Sequence, residues 1–431
     1  MKTMTGKIPA NAYYSRLLEW GRLVSITGLA QVLIQGLGLL SGILIIRLLP
    51  TKEYALYTLA NAMLATITVL ADSGIGAGVL AHGGRVWQYR DQLGKVLVTG
   101  IQLRKKFALL TLLIALPVLV YLLIHHGSGW IIAGCIAVSL IPAFYAALSD
   151  TLLEIPLKLH QDITALQRNQ ILANLSRFVL LSSGLFFLPY TFIAMLAGGV
   201  TRIWANMKLR KLAGKFADLS QPRDLTAKGE ITEMLKRTMP STIYYCASGQ
   251  ITIWLISIFG NTTAIAQIGA LERIVGALSL ITVLFSTLVI PRFARLPQEP
   301  GILLLRFVQI LILLFLISGA VCTLFYFFPA QVLFILGKNY AHLSRELLLV
   351  AISGCISLMA GIANYLSVAR GWALPPVLHI SVSLAIQIAL ICLMDLSSLT
   401  NVLILSIINA AMALILYSAY FFYKGSRAKR I

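Results

Sequence analysis

Residues 23–46 read LVSITGLAQVLIQGLGLLSGILII, and residues 54–82 read YALYTLANAMLATITVLADSGIGAGVLAH. The first stretch has no charged residue, and the second has none before Asp72. A helix needs about 20 mostly apolar residues to cross a hydrocarbon core of about 30 Å, and both stretches are long enough. A backbone in lipid must satisfy its own polar groups, so they are helices. Outer-membrane strands would run about ten residues with strict alternation.

Such runs recur along the chain. Of its 431 residues, 58% are hydrophobic and only 12% charged, and the mean hydropathy is +0.87. A water-soluble domain of ordinary usage is far more polar. Hydropathy places spans near 23–46, 54–82, 107–124, 130–149, 170–188, 190–206, 240–259, 264–290, 303–328, 345–368, 375–394 and 401–423. The expected fold is an all-α polytopic membrane protein of about twelve helices. An even count puts both ends on one side. The N-terminus, the segments 83–106, 151–169, 207–239, 292–302 and 369–374, and the tail hold 27 of the 35 Lys and Arg residues. The opposite loops hold Lys52 and Lys338, with Arg47 and Arg345 at span edges. Positive loops are retained in the cytoplasm, so both termini are expected there.

The expected organisation is a cytoplasmic segment 1–22, a six-helix bundle 23–206, a basic linker 207–239, a second bundle 240–423 and a basic tail 424–431. The first apolar run is too long for a secretory signal and lacks its cleavage site, so it stays as a helix. Topology and contact with anionic membrane lipids account for the basic segment Lys208 to Arg237, and no nucleic-acid partner is expected. Cys135, Cys246, Cys322, Cys355 and Cys392 lie in apolar runs without metal-ligand spacing, and we read them as packing residues. His125 and His126 are adjacent in a short loop, poor geometry for one metal. Asn261-Thr262-Thr263 matches a glycosylation sequon but sits against the membrane. No metal or cofactor is expected. No outside loop has room for a catalytic domain and no glycine-rich phosphate loop is present, which argues against an enzyme.

Several spans have a polar face. Gly28, Gln31, Gln35, Gly38 and Gly42 share one side of the first helix, and Thr58, Asn61, Ala65, Thr68 and Asp72 share one side of the second. Ser241, Tyr244, Ser248 and Thr252 repeat the pattern in the seventh span, and Ser353, Ser357, Gly361 and Asn364 in the tenth. Such faces serve helix packing or line a path. Ionisable residues within spans are costly, and they face a partner or water. Five are candidates: Asp72, Arg177, Arg202, Glu272 and Arg273. The excess of guanidinium suits a substrate bearing phosphates, because Arg engages phosphate oxygens bidentately and stays charged.

The stretch Arg47-Leu48-Leu49-Pro50-Thr51-Lys52-Glu53-Tyr54-Ala55-Leu56-Tyr57, with Leu70-Ala71-Asp72-Ser73-Gly74, resembles the polysaccharide-export flippases of the Wzx type. These share a superfamily with the multidrug and toxin extruders and the lipid II flippases. Pro50 and Glu53 would turn the chain at the outer surface, and Tyr54 and Tyr57 would anchor the next helix in the interfacial belt. Members commonly carry Gly where this chain has Ala55, and twelve spans rather than fourteen argue against the lipid II flippases. The resemblance implies two six-helix bundles around a central cleft in the bacterial inner membrane. It further implies movement of polyprenyl-pyrophosphate-linked oligosaccharide to the periplasmic leaflet by alternating access, alongside polysaccharide polymerase and assembly proteins. On that reading Arg177, Arg273 and Arg202 attract phosphate, while Gln31, Gln35, Asn61, Tyr244 and Asn364 hydrogen-bond sugars. Asp72 or Glu272 would couple transport to an ion, although Asp72 serves equally as a structural bond to a neighbouring helix. The alternative is an ion-coupled extruder of the multidrug type, which would favour a cavity rich in carboxylates.

Overall fold

The computed structural model describes the backbone of residues 10–427 except 291–292, 294–295, 297–298, 371, 373 and 395–397. Side chains are described from residue 28, leaving out also 237, 238, 241, 245, 247, 249, 287 and 288. The far ends of the terminal segments and the Ser241 side chain therefore lie outside the described residues. Those described form helices and no strand.

In chain order the helices are α1 (Ala10–Leu48), α2 (Thr51–Asp72), α3 (Ile75–Val86), α4 (Arg90–His125), α5 (Trp130–Leu159), α6 (Ile163–Phe187), α7 (Thr191–Ala213) and α8 (Leu225–Gly249). They continue with α9 (Ile251–Phe259), α10 (Thr262–Val275), α11 (Ser279–Leu284), α12 (Pro300–Phe327), α13 (Pro329–Leu336), α14 (Ser344–Ala369), α15 (Pro376–Leu393) and α16 (Leu399–Ser426). Among the described residues, ten helical segments are long and apolar enough to cross a membrane. The more basic α7 and the broken pair α8–α9 bring the crossings to twelve.

Local chemistry sets the helix ends. Pro300, Pro329 and Pro376 open α12, α13 and α15, where a missing N–H costs nothing. Asp162 caps α6 and Asn261 caps α10 through their side-chain oxygens. Glu53 turns the chain in an unforeseen way: its carboxylate accepts from Thr191 N at 2.8 Å and Thr191 Oγ1 at 2.7 Å, fastening the start of α7.

Some boundaries differ from the expected spans. The second span does not continue to residue 82. It stops where Ser73 and Gly74 take left-handed φ values of 39° and 92°. Asp72 then accepts from Gly76 N at 2.9 Å, capping the new helix α3. The third expected span is α4, which starts at Arg90 rather than 107, so Arg104 lies within it. About two thirds of the expected linker 207–239 is helix, and its remaining loop packs on α4: Asp218 N donates to Arg90 O at 3.1 Å and Asp224 N to Thr99 Oγ1 at 3.0 Å. Hydrogen bonds from Ser220 and Gln221 hold the Asp218 carboxyl down at about 2.

Packing divides the molecule unevenly. One core joins both halves at the end opposite the basic loops, with Ile45, Tyr54 and Tyr57 packed alongside Ile268, Leu271, Leu333 and Tyr340. At the basic end there are two separate cores: Val79, Leu97, Leu152, Leu209 and Ile231 in one, Phe285, Phe307, Leu358 and Phe421 in the other. The halves thus share one core at one end, whereas at the basic end their cores lie apart and the start of α8 packs on the first half through Ala227, Ile231 and Leu235.

The first half also contains an ion pair absent from the sequence reading. Arg104, with 3% of its side chain exposed, pairs with Asp72, which is 39% exposed, and donates to Leu148 O at 3.0 Å and Thr151 Oγ1 at 2.7 Å. Removing one member strands the other, and the stranded arginine is the buried one. Asp72→Ala should therefore cost about 3 kcal/mol, and Arg104→Met, which leaves a carboxylate that water can reach, nearer ~1 kcal/mol. Thermal unfolding of the purified variants checks this order, and the reverse order would refute it.

Candidate functional site

The site is built from three cavities. The central one, of about 640 Å³, lies between the halves. Gln35, Tyr54, Thr58, Asn61 and Arg177 line it from the first half, and Gln250, Glu272 and Arg273 from the second. A cavity of about 440 Å³ lies within the first half beside Gln31, Asp150, Glu154, Asn174, Arg177 and Arg202. A third, of about 430 Å³, lies within the second half beside Tyr244, Ser248, Glu272, Ser357, His379 and Tyr417. Arg177 is shared by the first-half and central cavities, and Glu272 by the central and second-half ones.

Arg273 is held by the motif that carried the resemblance. Tyr54 and Tyr57 were expected in the interfacial belt; the structure buries them to 1% and 2% exposure instead. Both phenols lie beside the Arg273 side chain, and its guanidinium carbon lies 5.9 Å from the Tyr57 ring centroid. Gly42 of α1 leaves room for the arginine stem: a Cβ there would lie 3.2 Å from Arg273 Cδ. The Nε of Arg177 is buried without a hydrogen-bond partner among the described residues. Neither arginine has a carboxylate oxygen within 4.0 Å among those residues.

Other expected residues fall elsewhere. Arg202 donates to Asp150 Oδ2 at 2.7 Å, and Asn206 also bonds that carboxylate, so this cation has a partner of its own. Gln31 and Gln35, one helical turn apart, face the first-half and central cavities respectively. Tyr244 meets His379 edge-on at 5.6 Å in the second-half cavity. Asn364 is half-buried and lines none of the three cavities. Asp72 lies outside all three and belongs to the Arg104 pair. Arg104, Asp150 and His379 were not among the expected site residues. A histidine inside an apolar run was the available signal for the last.

At the closed end, polar links join the halves. Arg47 donates to Phe334 O at 2.6 Å and Ile335 O at 2.9 Å, meeting the last turn of α13. Asn339 Nδ2 donates to Thr51 Oγ1 at 3.3 Å. In the α4–α5 turn, His126 Nε2 lies 2.9 Å from Ser257 O and Nδ1 lies 3.2 Å from Thr262 Oγ1.

No protein-family model matches the sequence, and no curated protein matches it. Solved structures do resemble its fold. A structure described as the inward-facing conformation of a multidrug resistance MATE family transporter of the MOP superfamily aligns over 91% of this chain and 94% of that one, at 15% identity and a TM-score of 0.74. An outward-facing conformation of a transporter so described aligns over 95% and 96%, at 15% identity and a TM-score of 0.66. A MOP superfamily transporter from Pyrococcus furiosus, described as having a binding pocket of reverse polarity that suggests a different function, aligns over 95% and 96% at 14% identity with a TM-score of 0.62. The chain therefore has the fold of MATE-type transporters of that superfamily. Its likeness is greater to the inward-facing form.

His126 makes the closed end sensitive to pH. Burial, reinforced by the neighbouring His125, holds its imidazole below the ordinary value of 6.5, and the Lys52 ammonium also lies beside this turn at Gly127. Parting the turns frees the ring to bind a proton at its ordinary affinity. Closure is thus fully favoured above about pH 6.5 and weakens as pH falls through the lowered value. Spin labels at Gly129→Cys and Thr263→Cys, in a background without native cysteines, should report more separation at pH 5.5 than at pH 7.5, and His126→Gln should remove the response.

Proposed function

We propose that this protein is a flippase that carries a polyprenyl-pyrophosphate-linked oligosaccharide across the bacterial inner membrane by alternating access. The carrying observation is the pair Arg177 and Arg273. Both face one cavity formed by the two halves, with Glu272 the one carboxylate on its wall. A desolvated guanidinium without a carboxylate partner favours an anionic ligand, and Arg suits phosphate oxygens best. The cavity volume lies within the usual range for ligand sites, about 300–1,000 Å³. Gln35 and Asn61 offer hydrogen bonds to sugar hydroxyls beside the arginines, Gln31 and Tyr244 do so in the flanking cavities, and the polyprenyl tail remains in lipid between helix faces.

The positive-inside rule puts the basic loops, and with them both termini, in the cytoplasm. The separation of the two cores at that end fits loading from the cytoplasmic leaflet. Polysaccharide polymerase and assembly proteins would then take the product on the other side. The coupling role falls to Glu272 rather than Asp72, because Glu272 faces two cavities whereas Asp72 is engaged by Arg104.

One observation favours the extruder reading: the second-half cavity is lined by Glu272, Tyr244, Tyr417 and His379, with no Lys or Arg on its wall. Aromatic rings beside a carboxylate suit an organic cation. Proteoliposomes separate the two readings. The flippase should move labelled polyprenyl-pyrophosphate oligosaccharide, with Arg177→Ala and Arg273→Ala each slowing it at least about tenfold, the cost of a lost charged hydrogen bond. Organic-cation efflux without lipid movement would establish the extruder, and equal lipid rates in all variants would sink the site assignment.

A further inference from the structure

A second cavity system lies outside the cleft, on the surface of the first half. At the basic end, the N-terminal turns of α6 and the C-terminal turns of α7 form a groove of about 590 Å³. Arg168, Lys208, Lys211 and Lys215 line it, with Asp162 the one carboxylate. Asp162 is already engaged, since it caps α6 through Ala165 N. None of the four cations has an ion-pair partner among the described residues. Lys208 sits with its ammonium 3.6 Å from the centroid of the Trp204 ring, and Trp is the residue type that marks the headgroup level of a bilayer.

Two further features distinguish the groove from a merely basic loop. First, apolar stripes continue from it towards the membrane middle. On α6, Leu172, Leu175 and Val179 follow Arg168 at four-three-four spacing, and Leu175 and Val179 are 46% and 57% exposed. On α7, Met207, Trp204 and Val200 precede Lys211 at four-three-four spacing, and all three are exposed. Second, Asn169 lines the groove at 7% exposure. Its Nδ2 donates to Ala205 O at 3.1 Å, which fixes the amide, and its Oδ1 is buried without a hydrogen-bond partner among the described residues. Asn169 also lines the first-half cavity, and its oxygen is a buried acceptor at the seam between the two that lacks a donor.

We propose that this groove is a binding site for an anionic phospholipid whose headgroup carries a hydroxyl. Its phosphate lies among Arg168, Lys208, Lys211 and Lys215, the headgroup hydroxyl donates to Asn169 Oδ1, and the acyl chains follow the stripes of α6 and α7. The site is independent of what the central cleft transports. Asn169 lines the first-half cavity as well, beside Leu166 of α6 and Ala205 and Leu209 of α7. A lipid seated here therefore braces the seam between the groove and that cavity.

The test uses the full chain purified in a neutral detergent, with the thermal unfolding midpoint followed as phosphatidylglycerol, phosphatidic acid, phosphatidylcholine or inorganic phosphate is added. Phosphatidylglycerol should raise the midpoint at the lowest concentration. The triple variant Arg168→Gln, Lys208→Gln, Lys211→Gln should keep its lipid-free midpoint but need about a hundredfold more phosphatidylglycerol, about fivefold for each cation beside an anionic lipid. An unchanged phosphatidylglycerol response in the triple variant would overturn the site. An equal response to phosphatidylcholine would reduce it to general solvation by lipid, and an equal response to inorganic phosphate would make it an ion pocket. Phosphatidic acid acting as well as phosphatidylglycerol would remove the Asn169 contact.

Discussion

The close approach of α2 and α10 organises the rest of the molecule. A side chain on Gly269 would overlap Thr58, so the two backbones meet at a distance that only glycine permits. This contact belongs to the one core that spans both halves. It also sets Arg273 of α10 against Tyr54 and Tyr57 of α2. Lipid gives no hydrophobic drive for helices to associate, so shape and hydrogen bonds must hold the two halves together. Here the shared core lies at the end opposite the basic loops, and at the basic end it is the start of α8 that packs on the first half. The central cavity exists because the same halves have separate cores at the other end.

The arginines sort by what desolvation demands of each. Arg104 is the most buried and has the most partners: a carboxylate, a hydroxyl and a carbonyl. Arg202, partly exposed, has Asp150. Arg47 spends its donors on two carbonyls of α13. Arg177 and Arg273 are left facing the central cavity, one with an unpartnered Nε and the other with two phenols. A buried charge must be paired, hydrated or neutralised. Of these five arginines, the two without a carboxylate or carbonyl partner among the described residues are the ones that line the cavity to which both halves contribute.

The number of crossings and the polar faces were legible in the sequence because apolar length and helical spacing are local properties. Gln35 and Asn61, picked from helical spacing, and Arg177, Glu272 and Arg273, picked as ionisable residues within spans, meet in one cavity. Partnership was not legible. Arg104 sits in the run Arg104-Lys105-Lys106, which hydropathy assigns to a loop, yet α4 extends about five turns below its apolar part and buries the arginine against α2 and α5. Asp150 and Arg202 are 52 residues apart and meet only because α5 packs on α7. Tyr54 and Tyr57 look like interfacial anchors until α10 is placed over them. A hydropathy profile cannot register contacts made at such separations.

The helix breaks carry a last piece of the argument. Gln250, with φ −116° and ψ 6°, separates α8 from α9, and a 3-10 turn over Gly276–Leu278 separates α10 from α11. Backbone groups freed from a helix are tolerated at membrane depth only where protein or a water-filled cavity satisfies them. Gln250, Gly276 and Ala277 all line the central cavity. Two independent breaks, on neighbouring crossings, thus open towards the same space as the two arginines. The irregular backbone and the unopposed charge locate the cleft separately. Their agreement depends on no assumption about what the cleft carries.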